Sequence, residues 1–589
     1  MNGRLLYTLT VPAAAALLWL NMAAAQVQSP AKPDAKAIQL KLQKEEEAKR
    51  LEELKRAELE KALLQLKLQQ AQIQLGQPAP NAPVLEVAKA PPAGADQISQ
   101  ARDLAKRIDD LINKKLKSAK VAPAGTAGDT EFFRRLNLDL SGRVPTLLDV
   151  RDFLDNQSPE KRAQWIEKLL ESDPYSIHFS HVLASAMLGN RLDPGLLGSR
   201  ELFLRWLQDR IKTNQGYDLT AKELVNQVRK PGEPGMPNGF ITFHGNKPEE
   251  QTGAVARVLL GIKIECAQCH PHPFASWTKQ QFWEFAAFFD PKGLKVTGTG
   301  YQRPEIPVPG SPKKAKAKFL DGTEPPDNLP NTPKATLADW IASKDNPYFA
   351  KAAADNVWQY FFGASLLEPL LEKEKDKSVI THPELLNLLA KELAAHNFDL
   401  KHLVRAIVYT EAYQRTSQGA KNEDQLALFG RMPVRALSAD QFYDSFMVAT
   451  NTKVSEPTLP NNINPNFVQF NPGVTDRGQF LLKFTDTAKA TETSTSILQA
   501  LFLMNNKFIN DRIDPKHYTV LSVLASTGGN AKRQIETLYL MSLSRLPSDA
   551  ELQQFTQYIQ TGGATGDRAQ ALGDLLWALL NSSEFAVNH

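Results

Sequence analysis

The stretch HPELLNLLAKELAAHNFDLKHLVRAIVYTEAYQ, residues 382–414, sets apolar residues at i, i+3, i+4 and i+7. That period gathers them into one stripe of a helix, and such a stripe must be covered by another element. KRAQWIEKLLES, residues 161–172, repeats the pattern. Sustained alternation of period two is scarce, so the expected fold class is mainly α. Two helix starts are legible. Ser158 is placed to cap a helix with Pro159 at its first position. Thr381 is placed to do the same, with Glu384 three residues on completing a capping box. The Gly/Pro-rich piece 231–247 reads as a loop with one short strand at Phe240–Phe243.

At 589 residues, 42% of them hydrophobic and 23% charged, the chain is long enough for more than one packed core. Lys and Arg total 69 against 65 Asp and Glu, a net charge of +4. That balance is too weak and too dispersed for a nucleic-acid binder.

The first residues carry a short basic region with Arg4 and an apolar run from Leu5 to Leu20. Ala23 and Ala25 then fit a small-residue cleavage site, so residues 1–25 read as a signal peptide. An uncleaved N-terminal tether is the alternative, since the run approaches the ~20 residues that span a bilayer. Both readings place the body outside the cytoplasm, in the periplasm or cell envelope. Residues 36–75 are rich in helix formers, with Leu54, Ala57, Leu64, Leu68, Ala71 and Leu75 on alternating three- and four-residue steps. They form a helical stalk or a coiled coil that makes an oligomer. Residues 76–99 are a Pro/Ala-rich linker and 303–335 a Pro/Lys-rich one. Between and beyond them lie two helical bodies, 100–302 and 336–589.

Both cysteines of the chain fall together in IECAQCHPHPF, residues 264–274. Cys266-Ala-Gln-Cys269-His270 is the attachment pattern of c-type haem. Two thiols at that spacing add across the two porphyrin vinyl groups, and the adjacent imidazole lies under the iron. Random placement of two cysteines and ten histidines would produce this cluster with a chance on the order of 10⁻⁴. Two other uses of the same residues stay open. Zinc would draw on Cys266, Cys269, His270 and His272, although no second Cys pair exists to close a tetrahedral site. A disulfide between Cys266 and Cys269 would suit an oxidising compartment but leaves both histidines unexplained.

Downstream, Phe282, Phe285 and Phe289 step at helical spacing and form an aromatic face, either plain core or the wall of a haem pocket. Upstream, EQTGAVARVLLGIKIE reads as a helix that delivers the chain to Cys266. His178, His181, His244 and Met187 lie in the same body and are the candidates for a sixth iron ligand. His382, His396 and His402 read as structural or surface residues. No G-x-S-x-G, H-E-x-x-H or P-loop is present.

FFRRLNLDLSGRVPTLLDVRDFL (132–154) and GIKIECAQCHPHPFASWTKQQFWEFAAFF (261–289) resemble the planctomycete cytochrome-like domain DUF1549, also called PSCyt2. LADWIASKDNPYFA, FGASLLEPL, the 382–417 helical stretch and SLSRLPSDAEL resemble its usual follower, DUF1553 or PSD1. The resemblance implies an exported, cytochrome-like protein. Many relatives carry a further cytochrome c-like domain where this chain has its stalk. The motif N-R-V-W of the second domain reads Asp355-Asn356-Val357-Trp358 here. The expected function is single-haem electron transfer, or a redox subunit of an envelope complex, with a protein redox partner. The alternative is an envelope interaction or structural protein whose Cys-x-x-Cys-His-x-His holds a metal or disulfide. No catalytic acid/base pair is evident, so enzymatic activity is left open.

Overall fold

Helices with one apolar stripe cover each other, and the computed structural model is built in that way. It describes residues 89–189, 196–227, 239–368, 382–419, 422–451, 477–478, 480–481, 507–514, 516 and 518–589. The expected signal peptide and the 36–75 stalk lie outside them. The protein is mainly helical, and its described strands are two or three residues long. Among the described residues no helix is long and apolar enough to cross a membrane.

The stripe seen first in the sequence splits into the helices Pro383–Ala395 and Leu400–Tyr409 and the single turn Glu411–Gln414. His382 occupies the N-cap of the first, and Thr381 lies outside the described residues. The turn between them runs through Asn397 and Phe398, both at positive φ, and Asp399 caps the second helix. Leu400–Tyr409 packs on Ala95–Ala119, nearly three hundred residues away in sequence. Ala95 thus begins a helix inside the span expected as a linker.

Two sequence expectations are corrected. The helix expected to start after Ser158 begins at Lys161. Ser158 Oγ instead accepts from the Glu160 N–H (3.2 Å), which closes a turn before the helix. Phe240–Phe243 lies in the short helix Gly239–His244, not a strand. Phe240 is buried there, and Gly239 comes so close to Phe203 that a Cβ would clash. The 303–335 segment carries Glu305–Pro307 paired antiparallel with Lys314–Lys316, with Ile306 and Ala315 turned inward.

One apolar core runs from Ala101 to Leu540 and a second joins Leu138 and Val144 to the 442–585 helices. The residues F-x-R-R-x-x-L-D-L-x-G act as fasteners between these parts. Arg134, fully buried, donates to the carbonyls of Ser542 (2.9 Å) and Phe585 (3.1 Å). Arg135 donates to the Tyr413 and Arg415 carbonyls (2.6 and 2.9 Å) and pairs with Glu131. Asp139 accepts from Arg435 and Asn588 (2.7 Å each) and from the Tyr413 hydroxyl (3.0 Å). Gly142 has φ +70°, and a Cβ there would overlap the His178 ring. Asp355 accepts from the Leu366 and Leu367 N–H groups and the Ser365 hydroxyl, so it fixes a loop.

Candidate functional site

The helix Pro248–Leu260 delivers the chain to the cysteines, as its apolar pattern predicts. Gly261 ends it at φ +68°, a conformation that glycine adopts at no steric cost, and the Ile262 N–H closes on the Ala256 carbonyl (3.0 Å). Ile264 and Ala267 are buried and anchor a single 3₁₀ turn, Glu265–Gln268. Cys266 lies in the turn and Cys269 at its C-cap; both are exposed and not bonded to each other. Glu265 pairs with Arg257 across the turn.

Trp283 fixes the far end of the turn. Its indole Nε1–H donates to the Gln268 carbonyl at 3.0 Å. Sequence inspection placed this residue in an aromatic run without seeing that task. The rest of the run is core. Phe282, Phe285, Phe288 and Phe289 are buried, and Phe288 stacks on Phe319, which stacks in turn on Trp340. The face expected as plain core or pocket wall is turned into the protein, and Phe274 is exposed.

The two histidines differ in protonation geometry. His270 is exposed, and its Nδ1 lies 2.8 Å from the Pro271 carbonyl. A carbonyl only accepts, so Nδ1 carries the proton, and in the neutral ring the lone pair is on Nε2. A backbone acceptor on the second ring nitrogen is the usual means of orienting a metal-binding imidazole. His272 is the reverse. Its Nδ1 accepts from the Phe274 N–H (3.1 Å), which leaves the proton of the neutral ring on Nε2. Among the described residues no three His, Cys, Asp or Glu side chains converge as a metal cage.

The residues expected as sixth ligands are engaged elsewhere. His178 Nε2 lies 2.7 Å from the Tyr360 hydroxyl, and burial pushes its pKa down to about 3. His244 Nε2 donates to the Met187 carbonyl (2.7 Å), and Met187 itself is buried. His181 Nδ1 lies 3.4 Å from Asp440, in a cluster with Arg200 and Arg477. This His181–Asp440 pair joins distant parts of the chain and has no local signature. In the second body His382 donates to the Ala427 carbonyl, and His396 stacks on His402 at 3.9 Å, as structural residues do. A cleft of about 660 Å³ lies elsewhere, between Leu116, Pro123, Tyr409 and Arg415.

A mainly helical body that exposes a Cys-x-x-Cys-His turn defines the class. Residues 107–293 match the family described as protein of unknown function DUF1549, PSCyt2, and residues 333–479 match protein of unknown function DUF1553, PSD1. The chain belongs to the proteins that carry these two domains in this order. No curated protein and no solved structure shows significant similarity to it.

Proposed function

We propose that the protein carries one covalently attached c-type haem, held by Cys266 and Cys269 with His270 as the proximal ligand, and transfers electrons outside the cytoplasm. One observation carries the reading: Cys266, in an anchored 3₁₀ turn, Cys269 at its C-cap and His270 just after it are all exposed, and the His270 Nδ1 proton is taken by the Pro271 carbonyl. Each thiol S–H would add across a vinyl C=C, with sulfur bonding one carbon and hydrogen the other, so attachment needs no oxidant. The bound group would supply one-electron redox chemistry. The chain's own contribution is orientation. Trp283 and Ala267 hold the turn, and Pro271 fixes the His270 tautomer. The His272 tautomer favours this reading over a zinc site built from both imidazoles.

Expression in a host that matures c-type cytochromes tests the proposal. A pyridine haemochrome spectrum should give one haem per chain, retained through acid–acetone extraction, and Cys266→Ala with Cys269→Ala should abolish it. A colourless protein with stoichiometric zinc, or with a Cys266–Cys269 disulfide, would overturn it and favour an envelope interaction role.

A further inference from the structure

We propose that the cleft between the end of the Ala95–Ala119 helix, the 121–126 loop and residues 409–415 binds a small organic carboxylate, with its anionic head at Arg415 and Lys117 and its apolar part along Leu116, Val121 and Pro123.

The walls are held in place before any ligand arrives. The Ala124 N–H donates to the Gly430 carbonyl, the Ala127 N–H to the Gln414 carbonyl and the Thr416 N–H to the Gly125 carbonyl, at 2.8 Å each. The Gln425 amide adds a bond to the Ala122 carbonyl (2.7 Å). Thr126 and Arg415 face each other as an antiparallel bridge. Residues 113–126 belong to the first family-matched segment and 409–415 to the second. The cleft therefore lies on the seam between them, a usual place for small-molecule sites. Its volume of about 660 Å³ falls within the roughly 300–1,000 Å³ of such sites.

The charges on the walls point to the class of ligand. Arg415 is only 4% exposed, and its guanidinium donates to the Phe429 carbonyl (2.9 Å) and the Asn113 side-chain carbonyl (2.6 Å), both neutral. Among the described residues no carboxylate forms an ion pair with it, and Asp109 and Glu411 favour its charge only from further away. A buried cation met by neutral acceptors lacks the contact that best offsets its desolvation. Asn113 lines the cleft, so the guanidinium bonded to it lies at the cleft wall. Lys117 lines it as well, exposed and without an ion pair among the described residues. Against these two cations the lining sets one acid, Glu411, which accepts from the Asn113 amide (3.4 Å). Asp109 stands behind, and its carboxylate is met by the Glu411 and Ala412 N–H groups (2.8 and 3.1 Å). The planar guanidinium fork matches a carboxylate, and Leu116, Val121 and Pro123 give a hydrocarbon part a surface to cover. The cleft shares no lining residue with the Cys266–His270 segment.

The test titrates the full chain by calorimetry with 4-phenylbutyrate, and with 4-phenylbutyramide as its uncharged counterpart. One carboxylate should bind per chain. The amide should bind about tenfold more weakly, the loss of one charge-assisted hydrogen bond. Arg415→Gln should weaken the carboxylate to the level of the amide. Lys117→Gln and Thr126→Trp change exposed positions and keep the test decisive if Arg415→Gln does not fold. The first should weaken the carboxylate and not the amide, and the second, by filling the cleft, should abolish both. Near-UV ellipticity checks that each variant keeps the native fold. Absence of carboxylate binding, equal binding of the amide, or undiminished binding in Thr126→Trp would overturn the proposal. Haem content does not enter this readout, so haem-free protein that binds 4-phenylbutyrate would overturn the redox reading alone.

Discussion

His178 shows how one buried side chain can set the acid limit of the fold. Its ring is held neutral by burial, with a pKa of about 3 against an ordinary value of 6.5. His402, stacked on His396, is lowered to about 4 for the same reason, with the nearby His396 adding to the effect. In the unfolded chain both rings take up a proton near pH 6.5, whereas in the folded state they stay neutral. The stability they contribute is therefore complete above pH 6.5 and is lost as pH falls toward 3 to 4. For His178 alone the slope inside that window is about 1.4 kcal/mol per pH unit. Urea midpoints measured from pH 7 to pH 4 should fall steadily. His178→Gln keeps an acceptor and donor near Tyr360 but cannot titrate, so its profile should be shallower by that amount. An unchanged slope in the variant would show that His178 is not the group responsible.

At the scale of elements, the helix Asp129–Ser141 is a fastener. Arg134 is fully enclosed by carbonyl groups at 542, 584 and 585, and burial lowers its pKa to about 10. Arg134→Met fills similar volume but leaves at least two buried carbonyls without donors. The cost should be about 3 kcal/mol in urea unfolding, from 1–3 kcal/mol per orphaned group, with the Cys266–His270 segment unaffected. Arg134→Lys should recover only part of it, because one ammonium cannot span three acceptors.

None of this was legible in the sequence. The arginine pair could be seen, but apart from Glu131, one helical turn before Arg135, its partners lie more than two hundred residues away and carry no pattern that points back. What was legible is what chain periodicity or local spacing encodes. The 382–414 stripe became two helices and a final helical turn, and the Cys-x-x-Cys-His cluster sits on a 3₁₀ turn and its C-cap. Local reading failed where a short segment was decided by its neighbours. Phe240–Phe243 has the β-branched and aromatic composition of a strand, yet Phe240 is buried beneath a helix that Gly239 lets approach Phe203. Pro159 and Ser158 looked like a helix start, but the serine hydroxyl was used for the turn before it.

At the scale of the molecule, the two family-matched segments do not have separate interiors. Residues 84–589 form one compact unit. The first core draws residues from Ala101 through Leu540, and the second places Leu138 and Val144 among Phe442, Leu538 and Phe585. Apolar surface shared in this way is worth about 25 cal/mol per Å² only while both halves are present. Asp139 makes the dependence sharper. It is fully buried, and its carboxylate oxygens are met by Arg435, Asn588 and Tyr413, all contributed by the later half. A chain cut within 303–335 would leave that carboxylate and Arg134 facing water or unpaired in a collapsed core, and Arg135 with Glu131 alone. We therefore expect the full protein to unfold in a single calorimetric transition, with van't Hoff and calorimetric enthalpies in agreement for the 84–589 unit. Residues 84–302 expressed alone should keep helical far-UV ellipticity, lose near-UV signal and bind ANS. Co-expression with 303–589 should restore the near-UV spectrum. Native near-UV ellipticity in the isolated 84–302 fragment would show instead that the first half closes its own core and that the buried carboxylate and arginines find other partners.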